Sequence, residues 1–228
     1  MWRPAGCPDS IEWVPCARTA QQCKDIDPFL SDISSKGTPI KHFLGFNEPE
    51  HPGQANMKVE DAVRLWREMI LPAKKKFGFR LGSPGMTSDV SKCRPWLDSF
   101  FQQLGGDDEI DFLVVHWYGP KFQDFRAYVE DMHNAYKLPV WVNEFACSKM
   151  GAGQASADEV EAFIKEAVEW LDQCEWVERY AYFGNAQGRD VGEWVGKSSN
   201  FTEPAEGSSS ARTDGRTLSR IGNLYCQC

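Results

Sequence analysis

Short apolar runs alternate with segments of helical period along most of the chain, and this alternation limits the fold more than any other feature. The runs are 12–17, 42–47, 79–83, 111–118, 139–145 and 179–183. Each is brief and apolar on both faces, as buried parallel strands are. Between them lie amphipathic stripes. Val59, Ala62, Val63, Trp66 and Ile70 form one, with Asn56 as its expected cap. Trp96, Leu97, Phe100, Phe101 and Leu104 form a second, and Phe122, Phe125, Val129, Met132 and Tyr136 a third. Ser156 and Glu159 make a capping box ahead of Val160, Phe163, Ile164, Ala167 and Leu171. Periodicity is poorer over 23–36, where Pro28 sits in an early turn. Strand–helix alternation at this spacing predicts βα units and a parallel sheet, with chemistry at the carboxyl ends of the strands. Residues 185–216, rich in Gly, Ser, Asp and Glu, are expected as a long surface loop. A short closing helix follows over 217–224, and the whole of 1–228 reads as one domain.

Composition excludes several function classes. The net charge is −8, which repels phosphate backbones, so nucleic acid is not an expected partner. Lys74, Lys75 and Lys76 stand at a helix end, where cations complement the dipole. No apolar run is long enough to span a bilayer, and no signal peptide is visible in this chain. Eight cysteines lean towards disulfides and an oxidising compartment, with no pairing assignable. Asn200-Phe201-Thr202 is a glycosylation sequon, in keeping with secretion. No CxxC or HExxH marks a metal site, and no GxGxxG or GxSxG marks a dinucleotide fold or a serine esterase. Cys147, close after Glu144, would need a histidine beside it to act as a nucleophile.

Two glutamates share one setting. Glu48 and Glu144 each follow an apolar strand and an asparagine, and each stands at the expected carboxyl edge of the sheet. A carboxylic acid that protonates a leaving oxygen and a carboxylate that attacks or activates water are the minimum equipment for glycoside hydrolysis. The bland alternative is that each glutamate pairs with a neighbouring cation. His116, Trp117 and Tyr118 end another strand, with His116 and Tyr118 on one face and Trp117 on the other, and each of the three is a candidate sugar contact. Tyr182, Phe183 and Trp2 are candidate sugar platforms, with core packing the alternative.

The segments 44–50, 115–118, 139–146 and 178–184, together with the Gly-Ser-Pro ending of 79–84, resemble glycoside hydrolase family 128 in order and spacing. The resemblance runs from about Glu12 to Phe183. It implies a (β/α)8-type TIM barrel and retaining endo-β-1,3-glucanase activity. Glu48 is then the acid/base and Glu144 the nucleophile. Asn47 contacts the sugar 2-hydroxyl, and His116 and Tyr118 line the site. In that family's clan the two glutamates end the fourth and seventh strands; here they end the second and fifth recognisable ones. The expectation is therefore an α/β barrel of about six recognisable strands, lacking the first two, with Met1-Trp2 as the tail of the family's second strand. Two alternatives stand beside it: a β-glucan-binding protein with weak or no catalysis, and a same-clan hydrolase of another β-glycan. The expected partner is a β-glucan polysaccharide or oligosaccharide. No cofactor or metal is implied, and a secreted, extracellular or cell-wall monomer is expected.

Overall fold

The alternation is realised in a computed structural model that describes residues 11–106, 109–184, 191–204 and 213–227. Met1, Trp2 and Cys7 lie outside the described residues, so the expectations placed on them have no structural counterpart. The chain divides into two compact units, Met1–Val114 and Val115–Cys228.

In the first unit, β1 (His42–Phe43) runs parallel to β2 (Arg80–Leu81), with Phe43 opposite Leu81. Isolated parallel bridges join Cys16 to Leu44, Asn47 to Gly85, and Gly82 to Phe112. The run expected at 12–17 is thus held by a single bridge and its flanking bonds, Leu44 N–H to Pro15 O and Ala17 N–H to Leu44 O. Helices α1 (Ala20–Cys23), α2 (Ile26–Ser35), α3 (Val59–Leu65), α4 (Leu71–Phe77) and α5 (Val90–Leu104) accompany the strands. Pro28 falls in the first turn of α2, where the missing N–H has no intrahelical partner to lose. A π-helical turn, Trp66–Ile70, separates α3 from α4. Pro72 stands two residues past the turn; its ring excludes the ordinary bond to Glu68 O, and the ladder widens there. Asn56 is not the cap of α3. It adopts φ +47, and the helix starts at Val59 behind Lys58. The stripe residue Trp66 is fully buried, edge-on to Phe46 and Phe100. Burying each such side chain contributes about 1.5–3 kcal/mol. The lysines at the end of α4 are tied rather than merely solvated: Lys74 pairs with Asp111 at 2.9 Å and Lys76 with Asp27 at 2.7 Å.

The second unit takes up β3 (Leu113–Gly119) from its third residue. Strand β3 neighbours β4 (Val140–Cys147), which runs parallel to β5 (Val177–Tyr182). Helices α6 (Phe122–Tyr136) and α7 (Ala157–Gln173) cover this sheet. Phe125 of α6 stacks on Phe145 of β4 at 5.3 Å, and Phe163 and Trp170 of α7 close around it. The capping box at the head of α7 forms as expected, Glu159 N–H to Ser156 Oγ and Ser156 N–H to Glu159 Oε2.

The stretch expected as a continuous surface loop has regular structure. Lys197–Ser199 form a 3₁₀ turn, and β6 (Thr202–Pro204) pairs antiparallel with β7 (Thr213–Leu218). Residues 185–190 and 205–212 lie outside the described set. The closing helix α8 is Arg220–Tyr225, capped by the Ser219 hydroxyl, so Thr217 and Leu218 belong to a strand. No disulfide joins the cysteines among the described residues, so the disulfides expected from the cysteine count are not seen there. Asn200 of the sequon is buried, and its side-chain oxygen accepts the Val191 N–H at 2.9 Å, an unfavourable posture for a glycan acceptor.

Candidate active site

Glu48 lies just past the bridge that pairs Asn47 with Gly85. Its backbone has φ +46, a left-handed conformation that costs a non-glycine residue roughly 1–2 kcal/mol. The surrounding bonds hold it there. Glu48 N–H donates to Gly85 O at 2.8 Å, and Glu48 O accepts from His51 N–H at 3.0 Å. Met57 N–H donates to Pro49 O, and Ala55 N–H to Asn47 O. Strain of this kind persists where a side chain must be aimed. Glu48 is 7% exposed, whereas Asn47 is half-buried and its amide donates to Gln54 Oε1 at 3.2 Å.

Glu50 was not singled out in the sequence, yet its side chain ties this loop to a distant segment. Its Oε1 accepts both the backbone N–H of Thr87, at 2.8 Å, and the Thr87 hydroxyl, at 2.6 Å. Thr87 stands two residues past Gly85, the partner of Glu48. Glu50 therefore fastens the Glu48 turn to the segment that receives its N–H. The pairing spans 37 residues of sequence, and only the fold brings the two together.

In the second unit, Glu144 sits in a break of the β4–β5 register. Val142 faces Tyr180 and Phe145 faces Tyr182, so β4 carries one residue more than β5 between these pairs. Such a bulge turns a side chain out of strict alternation and recurs beside active sites. The Tyr118 hydroxyl donates to Glu144 Oε2 at 2.7 Å, and His116 Nδ1 lies 3.7 Å from the same oxygen. His116 is 1% exposed, so its ring is fixed by its surroundings. The Glu144 side chain keeps 26% of its surface open. Phe183 stands edge-on to Tyr118 at 5.8 Å and is exposed.

Trp117 is not brought to Glu144. It alternates to the opposite side of β3 and packs on Phe125 and Tyr128 of α6, and Gly119 leaves room for its ring. A Cβ at Gly119 would stand 2.7 Å from Trp117 Cζ2. Tyr182 is likewise interior rather than a platform. It is 5% exposed, stacks on Phe201, and its hydroxyl meets Ser199 Oγ at 2.9 Å and receives the Cys147 N–H at 3.2 Å. Burial raises its pKa well above the ordinary phenol range. Cys147 is buried, and desolvation, aided by the charge of Glu159, pushes its thiol up to about 11; its Sγ faces the Pro120 and Glu159 carbonyls. A thiol so placed stays protonated and is a poor nucleophile at neutral pH.

Comparison with known proteins gives this geometry its context. The family described as glycosyl hydrolase catalytic core matches residues 2–225. This chain belongs to that family. Within it, the chain falls in glycoside hydrolase family 128. It is similar to the curdlan-specific exo-β-1,3-glucanase of Blastomyces gilchristii, solved with glucose, at 30% identity and a TM-score of 0.75 over 98% of this chain and 84% of the other. It is similar also to the endo-β-1,3-glucanase of Amycolatopsis mediterranei, solved with laminaritriose, at 27% identity and a TM-score of 0.67 over 99% and 84%. The Alkali-sensitive linkage protein 1 of Schizosaccharomyces pombe is 32% identical over 200 residues, 86% of this chain. This family 128 chain spans about a third (34%) of that relative's length.

Proposed function

We propose that this chain is a retaining endo-β-1,3-glucanase on a (β/α)8-type barrel, acting as a single catalytic domain. The observation that carries the reading is the Glu144 carboxylate, set at a bulge and gripped through Oε2 by the Tyr118 hydroxyl. A nucleophilic carboxylate needs one oxygen oriented and the other left to attack, and this bond orients it. Two β-1,3-glucanases of family 128, at 27% and 30% identity, support the substrate class.

In the proposed reaction, Glu48 protonates the glycosidic oxygen while Glu144 Oε1 attacks the anomeric carbon. The C–O bond to the leaving sugar breaks and a glycosyl ester forms. Glu48, now a carboxylate, takes a proton from water, the water oxygen displaces Glu144, and the anomeric configuration is restored. Asn47 contacts the 2-hydroxyl, His116 fixes the orientation of Glu144, and Phe183 offers a ring face to a sugar. Two carboxylates complete this chemistry without metal or cofactor. The reading places the protein outside the cell or in its wall, as a monomer, where β-glucan is its partner.

Reducing-sugar release from a linear β-1,3-glucan, compared with that of the Glu144→Gln variant, tests the reading. Release by the native chain that falls at least about a thousandfold in the variant supports it. An early drop in viscosity marks endo action, and NMR of the first product marks retention. No release from the native chain would overturn the enzymatic reading, and tight glucan binding in that event would select the binding-protein alternative.

A further inference from the structure

Few large apolar side chains are exposed among the described residues: Ile11, Val90, Met150, Phe183, Trp194 and Leu218. Three of these, Met150, Phe183 and Trp194, belong to segments that follow the carboxyl ends of β4 and β5. Trp194 keeps 50% of its surface open, an unusual position for an indole. Its ring lies over Gly151, whose φ is +86 and whose missing Cβ would stand 3.5 Å from ring atom Cζ3. Bare backbone thus backs the ring. Its main chain is anchored too: the Ser148 hydroxyl donates to Trp194 O at 2.6 Å and receives the Met150 N–H at 3.1 Å.

The anchor locates the ring relative to the chemistry. Ser148 directly follows β4, and its N–H donates to Gly119 O, one residue past Tyr118. Trp194 is therefore fixed at the strand ends that carry Tyr118 and Glu144. Glu144 and Ser148 are four residues apart in sequence, about 13 Å of extended chain. The indole is thus tied to the segment beyond β4, past the residue proposed as nucleophile.

We infer that Trp194 is a separate glucan-binding subsite, on which a pyranose ring of a longer β-1,3-glucan stacks away from the cleavage point. A flat ring backed on one side and half open to solvent matches the apolar C–H face of a sugar. Nucleic-acid bases also stack on indoles, but they bring phosphates, which a net charge of −8 repels. The inference rests on the glucanase reading and names a second place where the same substrate is held.

The test uses the full chain with Glu144→Gln, so that turnover does not confuse binding. Affinities for laminaribiose and laminarihexaose are measured by calorimetry, with and without Trp194→Ala and Trp194→Phe. The expected result is about a tenfold loss of laminarihexaose affinity in Trp194→Ala, largely recovered by Trp194→Phe, with laminaribiose affinity and Tm unchanged. Indole fluorescence that responds to laminarihexaose only while Trp194 is present is the matching spectroscopic sign. Equal affinities with and without Trp194, or an equal loss for both oligosaccharides, would overturn the subsite while leaving the glucanase reading in place. No binding of either oligosaccharide by the Glu144→Gln parent would overturn the glucan reading, and this inference with it.

Discussion

Glu50 shows how a residue outside the chemistry can control it. Its carboxylate oxygen takes two hydrogen bonds from Thr87, and bonds of that charge-assisted kind are worth about 1.5–3 kcal/mol each. The left-handed Glu48 two residues earlier relies on the same segment through Gly85 O. In Glu50→Ala, kcat on β-1,3-glucan is expected to fall about ten- to hundredfold with little change in KM. Glu50→Gln, whose amide oxygen still accepts from Thr87, is expected to recover most of that loss. Equal kcat in the native and Glu50→Ala proteins would show that the Glu48 turn holds itself.

At the scale of elements, α7 is the clearest case of local sequence written directly into structure. The N–H of Ser156 and the ammonium of Lys149, at 2.9 Å, both bind the Glu159 carboxylate, and these bonds depress its pKa to about 2. A depressed folded-state pKa stabilises the fold above the ordinary carboxylate range, and the effect is lost as pH falls from about 4 towards 2. Glu159→Gln is therefore expected to lower Tm at pH 7 and to match the native protein near pH 2, as thermal melts at the two pH values would show. Ser156→Ala, losing the cap itself, is expected to lower Tm by about 2–4 °C. The helix pair α3–α4 followed a different course. Its apolar stripe is continuous in sequence, but Pro72 cannot support the ordinary ladder, and the π turn at Trp66–Ile70 is the result.

At the scale of the whole molecule, three of the described cysteines, Cys23, Cys93 and Cys147, are buried as small core residues. Cys23 is fully buried and desolvation pushes its thiol up to about 12, while Cys226 is exposed. Iodoacetamide at pH 8 is expected to label Cys226 in the native protein and to leave Cys23 and Cys147 unmodified until the chain is unfolded; peptide mass mapping reads the difference. Rapid native labelling of Cys23 would show that its surroundings are open.

The strand–helix alternation, the capping box of α7 and the matched Asn-Glu settings of Glu48 and Glu144 were all legible in the sequence. Each depends on residues within a few positions of one another, where side-chain period and local hydrogen bonding decide the outcome. Strand lengths, the β6–β7 pair and the lack of a disulfide among the described cysteines were not legible, because they depend on which distant segments meet. The same holds for the site. The sequence named Glu144 and Tyr118, but the bulge that turns Glu144 and the 2.7 Å bond that holds it arise from the pairing of β3, β4 and β5. It offered Trp117 and Tyr182 as sugar contacts, and tertiary packing set one against α6 and buried the other against Phe201. It passed over Glu50 and Trp194, whose partners, Thr87 and Gly151, lie 37 and 43 residues away along the chain. Local order was set by neighbours in sequence; the aim of each functional side chain was set by contacts that exist only once the chain has folded.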